Sequence, residues 1–496
     1  MLPENLFFFL FSVNLDKLIH VMKENSYQQE GREELEELIK QYQNLKSGRQ
    51  YSFLEEEAFE RIIDYFDDKD DLTEAYTACE IALELFPYSS QLMIKKADIL
   101  LATRKYDKAL EVLETAELFD SSDINLYILK TDAYLALDQQ QKAVDLLKDA
   151  LQLFEGEEKV DLLFELADVY DDYEEFDKVF DCLVWILQEE PTNEEALYKI
   201  CFWTDFTGRN EESIKIHNNI INEYPYNEIA WFNLGAAYQG LKLYEKSIDA
   251  YQYAVAIDEK FDYAYRNMGD AYLRLRKYKD AIEVLDKVLE LSRPEDVIYE
   301  AIGHCYHRLE NYAQARFHYK KAVHLSPEDS KLHYKIATTY MQEKQWQQAI
   351  KNLENALRIS RNVIEYNLAM GECKMNIAHF KEAIIYFGNV VRLKPRNASG
   401  WEALIRCLLK AAYFEEAAEQ TLAAIYATDG KKAIFLFYYS AILFLLGKSK
   451  EALLQFENAM IKSPKLLKKF IEINPSILQN SQVVDIIAQY KKGKKI

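Results

Sequence analysis

Three clusters of residues could carry chemistry. His304 and His307 lie three apart with Cys305 between them. On a helix that spacing puts two imidazoles on one face, where a metal could be held if a neighbouring segment supplied a third ligand. The alternative is a polar helix surface. Gly447-Lys448-Ser449 resembles the end of a phosphate-binding loop. The glycine that should open such a loop is replaced by Ile442, and no strand-like run precedes it, so an inter-helix turn is the expectation. The six cysteines, Cys79, Cys182, Cys201, Cys305, Cys373 and Cys407, are spread singly. With no C-x-x-C pair they read as small apolar core residues in a reducing compartment, a disulfide framework being the alternative. No Ser/His/Asp set, Gly-rich phosphate loop or pair of carboxylates on a loop frame occurs. No metal, cofactor or catalytic activity is therefore expected.

The elements that position these residues follow from a repeat. The chain has 496 residues but only 14 Gly and 9 Pro, few turn formers for that length. Gly235, Gly269, Gly303 and Gly371 are separated by 34 residues or twice that, with Ala337 in the missing place. Tyr238, Tyr272, Tyr306 and Tyr340 advance by the same 34, as do Pro191 and Pro225. Projection gives twelve repeats starting at 56, 90, 124, 160, 194, 228, 262, 296, 330, 364, 398 and 433. One slip of two residues falls near Glu158-Lys159 and one of a single residue near Lys432. Apolar residues recur three and four apart in two segments of each repeat, which predicts two helices joined by a short turn.

Trp231, Leu234, Gly235, Tyr238, Tyr251 and Ala254 in one repeat, and Tyr299, Ile302, Gly303, Tyr306, Ala315, Tyr319, Ala322 and Pro327 in another, follow W-x2-L-G-x2-Y, then alanines and an aromatic residue, then proline. In this the chain resembles the tetratricopeptide repeat (TPR) family. The resemblance implies an all-α fold, a right-handed superhelical solenoid of helix-turn-helix repeats. Lys96 and Lys130 in the Leu slot, and Cys201 and Ser440 in the Gly slot, depart from the pattern. Small residues such as Gly303, Ala315 and Ala322 should let the helices of a repeat approach, and rings should fill the remaining space. Proline at the end of a repeat should stop one helix and suit the first turn of the next. The expected organisation is a leader or over-extended start at 1–21, an N-terminal cap at 22–55 with a polar helix over 31–46, the array at 56–466, and a C-terminal cap at 467–496. In that cap Asn474-Pro475-Ser476 should open a last helix before a disordered basic tail. The apolar run at 433–447 is too short to span a bilayer and reads as core, or as a face for self-association of the C-terminal repeats.

The net charge of −22 is uneven: residues 51–193 hold 37 acidic and 12 basic residues. Such a surface argues against nucleic acid as partner. Residues 6–11, LFFFLF, lack the positive start of a signal segment, so no membrane partner is expected beyond a possible anchor there, and the protein is read as cytoplasmic. The TPR resemblance implies that first helices line a concave, protein-binding face. Its front residues are Glu57, Glu60, Asp64, Asp67, Asp68, Asp98, Asp132, Asp161, Glu165, Asp168, Asp171 and Asp172. Tyr198, Phe202, Phe206, Phe232 and Asn233 follow, and then Arg266, Asn267, Arg274, His304, His307, Arg308, Lys331 and Lys335. Some family members hold a peptide carboxylate with Lys, Asn and Arg from successive repeats. Arg266, Lys331 and Lys335 fall in corresponding places, but Asp270 and Ala301 replace the asparagines. The expected function is a scaffold or adaptor holding a peptide or helix of a partner, with its basic segment toward the acidic half. An enzyme-regulating module, or an enzyme with an unrecognised site, is the alternative.

Overall fold

The structure, a computed structural model, describes residues 34–48 and 54–492. The leader at 1–21 and the end of the basic tail lie outside them. Among the described residues every regular element is helical. First helices begin at Glu56, Ser90, Ile124, Glu157, Glu194, Glu228, Asp262, Asp296, Ser330, Ile364, Ala398 and Ala433, each followed by a second helix. Two starts leave the 34-residue register: Ala433 comes 35 residues after Ala398, and Glu157 follows a second helix that ends early at Ala150. The two extra residues are taken up between them, where Gly156 has φ 65°.

The backbone records the same period. Asp70, Arg104, Asp138, Glu174, Lys242, Arg276, Glu310, Lys344, Ala378 and Ala412 all have φ between 57° and 61°, and Gly208 and Gly447 complete the series. Each ends a first helix in the left-handed conformation, and in all but Gly208 the amide hydrogen-bonds back into the last turn (Arg276 to Leu273, 3.0 Å; Ala412 to Leu409, 3.1 Å). Gly447 thus belongs to an inter-helix turn, as expected of Gly447-Lys448-Ser449.

Repeats are joined by a second recurring device. Proline sits at the second position of a four-residue turn closed by Asn193 to Glu190, Asn227 to Tyr224, Asp329 to Ser326 and Asn397 to Lys394, where its fixed φ suits the turn. It does not enter the next helix's first turn, which corrects the sequence expectation. The residue after the turn caps the next helix: Asn193, Asn227, Asp329 and Asn397 each accept a hydrogen bond from its first amides, satisfying donors that have no partner within the helix. Trp231 Nε1 and Trp401 Nε1 then donate to the carbonyls of Pro225 and Pro395 at 2.9 and 2.7 Å.

Within a repeat, small residues allow close approach. A methyl group on Gly303 would stand 2.6 Å from the Tyr319 ring and 3.2 Å from the Ala315 carbonyl. Gly269 faces Leu285 and Gly371 faces Phe387 in the same way. Where the pattern departs, packing adapts. Lys130, 4% exposed, pairs with Glu117, and Lys96 with Glu80. Ser440 donates to the Ala452 carbonyl at 2.7 Å.

The chain divides after Leu243 into two compact halves. In the front half, the helix that includes 34–46 buries Tyr42 against Phe59, Ile62 and Cys79. In the back half, Ala433–Leu445 is nearly all core. One side packs Phe435, Tyr438 and Ile442 against the preceding repeat. The other packs Leu436, Phe437 and Ala441 against Phe456 and Phe470. The C-terminal cap is a degenerate thirteenth repeat. Its first helix, Leu467–Ile473, starts 34 residues after Ala433 and contacts that helix, and its second, Ser481–Lys492, packs on Ser449–Lys462. The final helix therefore starts at Ser481, because Pro475 opens a 3-10 turn, Pro475–Gln479, and Asn480 serves as the cap.

Candidate binding face

Asp64, Asp98, Asp132 and Asp168 occupy one position of four successive first helices in the front half, and Phe202 occupies the fifth. Asp64 is paired with Lys95, and Asp168 stands 3.9 Å from Lys199, which also binds Glu195. Among the described residues no cation pairs with Asp98, Asp132 or Glu165. Asp98, Asp132 and Asp168 are exposed and Glu165 is half-buried; neighbouring helices strip only part of their water, and each faces another carboxyl. Burial, then Asp67, raises Asp98, with Lys95 opposing, and burial, then Asp98, raises Asp132. Glu165 is raised to about 7 by burial and then by Asp132, Asp168 and Asp172. Asp168 is also raised by burial, with Lys199 opposing. A file of carboxyls that repel one another in a partly dehydrated groove can lower its energy by taking up cations.

The file ends on aromatic rings. Phe202 and Phe206, one turn apart on Glu194–Thr207, are 61% and 56% exposed, with Tyr198 one turn earlier also exposed. Trp203 stacks on Phe176 at 5.5 Å, and Phe206 meets the edge of Phe176 at 4.8 Å. The Phe202 and Phe206 rings are 5.9 Å apart and inclined by 25°. Trp203 meets both rings, at 5.1 Å from Phe202 and 5.5 Å from Phe206, and Phe176 meets Phe206 alone, while more than half of each ring stays in solvent.

The back half differs. Arg266 grips Glu295 with two hydrogen bonds of 2.7 and 2.8 Å and approaches Asp262 at 3.5 Å. Lys335 pairs with Glu300, Arg274 with Asp270, and Arg308 donates to the Tyr278 hydroxyl. Lys331 is exposed and Asn267 half-buried. Arg266 and Lys335 therefore already hold carboxylates of the same chain. His304 and His307 are both lowered, chiefly by burial and then by Lys335 and Arg308, among other cations. Cys305 is buried, its thiol pushed up to about 12 by burial, and no group of three possible metal ligands occurs among the described residues. The other cysteines are free, and all but half-buried Cys201 are buried.

One candidate falls off the face. Asn233 is 1% exposed and donates to the Leu197 carbonyl at 2.7 Å, bridging two first helices. Phe232 beside it is half-buried. Asp171 and Asp172 end the helix bearing Asp168 and are exposed. Sequence reading missed the ion pair of Lys130 with Glu117, for which the only signal was a lysine in a slot meant for leucine.

Residues 211–365 match the family model of the tetratricopeptide repeat protein 21 C-terminal ARM domain. The chain is a TPR-like helical repeat protein. No curated protein matches this TPR-like chain. Among solved structures, the C-terminal part of a TPR repeat-containing protein from Cytophaga hutchinsonii is 17% identical, with TM-score 0.44 over 49% of this chain and 99% of that one. YrrB, a TPR protein with an unusual peptide-binding site, is 16% identical, with TM-score 0.34 over 38% and 96%. The APC/C hetero-tetramer Cut9-Hcn1 is 12% identical, with TM-score 0.33 over 79% and 97%. No described helix is long and apolar enough to cross a membrane.

Proposed function

We propose that the protein is a non-enzymatic, cytoplasmic scaffold whose front half holds a basic segment of a partner protein along its first helices. The observation that supports this is the file of carboxyls at Asp98, Asp132, Glu165 and Asp168, of which only Asp168 has a paired cation among the described residues, running in register to the exposed rings of Phe202 and Phe206. Positive charges would relieve the repulsion, and aromatic anchors would supply residence time. Packed helices stand about 8–10 Å apart, and an extended chain advances about 3.3 Å per residue. A segment with a basic residue at every third position would therefore meet successive carboxyls.

The test uses a fluorescein-labelled ten-residue peptide with lysine at every third position and Gly-Ser between. Replacing Asp98, Asp132 and Asp168 together with Asn is expected to slow association at least tenfold at low salt and to flatten its salt dependence. An on-rate equal to that of the wild type, or no binding of the peptide to either protein, would refute the proposal.

A further inference from the structure

The open rings at the end of the carboxyl file narrow the chemistry of the partner, on the assumption that the front half binds a basic segment at all. We infer that Phe202 and Phe206 form a platform for an arginine side chain, so that the segment is selected for arginine over lysine at that place. The two rings share nearly one tilt, and more than half of each is in solvent. Trp203 meets both rings and Phe176 meets Phe206, and with more than half of each ring in solvent no box closes around a ligand. An enclosing box suits a compact methylated ammonium, whereas an open ring face suits a flat guanidinium.

The charges around the platform fit the same occupant. Asp205 lies between the two phenylalanines in sequence, and Asp168 belongs to the preceding first helix, which Lys199 ties to this one. Lys199 is occupied by Glu195 and Asp168 and lies over the Phe164 ring, and Arg209 is held by Asp181 and Glu212. The nearby cations are thus engaged, while Phe202 and Phe206 have no cation over them among the described residues. A guanidinium laid on these rings would gain the ring quadrupole and a carboxylate together. A lysine ammonium would keep more of its water and gain less.

The experiment compares three ten-residue peptides that differ only at every third position: arginine, lysine, or citrulline, the neutral isostere of arginine. Each is titrated into the full chain and into Phe202→Ala/Phe206→Ala. The wild type is expected to bind the arginine peptide about 3–5-fold tighter than the lysine peptide, and the citrulline peptide far more weakly. The double variant should bind arginine and lysine peptides equally while still binding both, which shows that its carboxyl file is intact. Equal affinity for arginine and lysine in the wild type, or an arginine preference kept by the double variant, overturns the inference while leaving the proposed binding of basic segments standing. Failure of the lysine peptide to bind the wild type would instead remove the reading on which the inference rests. A circular dichroism melt of the double variant that matches the wild type excludes unfolding as the cause of any change.

Discussion

The front and back halves are built from the same repeat and both close ion pairs within the chain, yet the solvent-facing positions of their first helices treat charge differently. In the back, Arg266 with Glu295, Lys335 with Glu300 and Lys374 with Glu382 close ion pairs within the chain. In the front, Asp98 faces Asp67, Asp132 faces Asp98 and Glu165 faces Asp132, with no paired cation among the described residues. The shared scaffold is set by core slots such as Gly303 and Tyr319. The difference lies in the solvent-facing positions of the first helices, which packing leaves free to vary. One fold can thus carry a half whose face cations Arg266 and Lys335 are closed on carboxylates of the same chain, and a half in which the face carboxyls Asp98, Asp132 and Glu165 have no paired cation among the described residues.

The largest effect should come from the scaffold. Gly303→Leu would drive a side chain into Tyr319 and the Ala315 carbonyl, costing about 1–3 kcal/mol. Because repeats contact only their neighbours, amide exchange should quicken across 262–342 first, while amides of 54–243 keep their protection. Equal loosening of both halves would erase the distinction between them. Gly388→Ala is the counterpart: nothing lies within 4 Å of the added methyl, so the helix Phe380–Leu393 should gain about 0.5–1 kcal/mol.

Next in size is the response to pH. Glu165, raised to about 7, holds more protons folded than unfolded between the ordinary carboxyl range and about pH 7. Front-half stability should therefore fall as pH rises through that window and be lowest above it. Glu165→Gln should remove this dependence and stabilise the front half at pH 8 by roughly 1 kcal/mol, after allowing for screening at a partly exposed site. Glu295 behaves in the opposite sense. Its hydrogen bond to Arg266 holds it low, so its contribution is present above the carboxyl range and is lost as pH falls below it. Exchange rates recorded at pH 5.5 and pH 8 should separate the halves. Glu165, raised to about 7, makes binding of a basic peptide near pH 7 release protons, a release measurable by calorimetry in buffers of different ionisation heat and absent in Glu165→Gln.

The smallest effect is expected at the rim of the back half. Arg274 and Asp270 form an exposed pair four residues apart on one helix, worth about 0.3–0.5 kcal/mol. Arg274→Ala should barely move stability and leave association of the lysine peptide unchanged. A marked change in that association would mean that the back half takes part in binding.

Much of this was legible in the sequence, for physical reasons. Gly303, Tyr306 and Ala315 announce the repeat because a close helix approach admits few side chains. The run of first-helix aspartates was visible because their spacing equals the period, apart from the two-residue slip before Asp168. What sequence could not give was pairing. Arg266 and Lys335 read as free cations, and only coordinates bring Glu295 and Glu300 to them. Asn233 follows the half-buried Phe232 in the chain yet faces inward, since a helix turns about 100° per residue. The thirteenth repeat was obscured because Asn474-Pro475 shortens its first helix, although Phe470 and Ile473 still fill the Trp and Leu slots.

The most direct test of the account is a hydrogen-exchange footprint of the arginine peptide on the full chain. New protection confined to the first helices from Ser90 to Thr207, centred on Asp132, Glu165 and Phe202, is the expected result. Protection on the second helices instead, or on the first helices of 262–410, would contradict it.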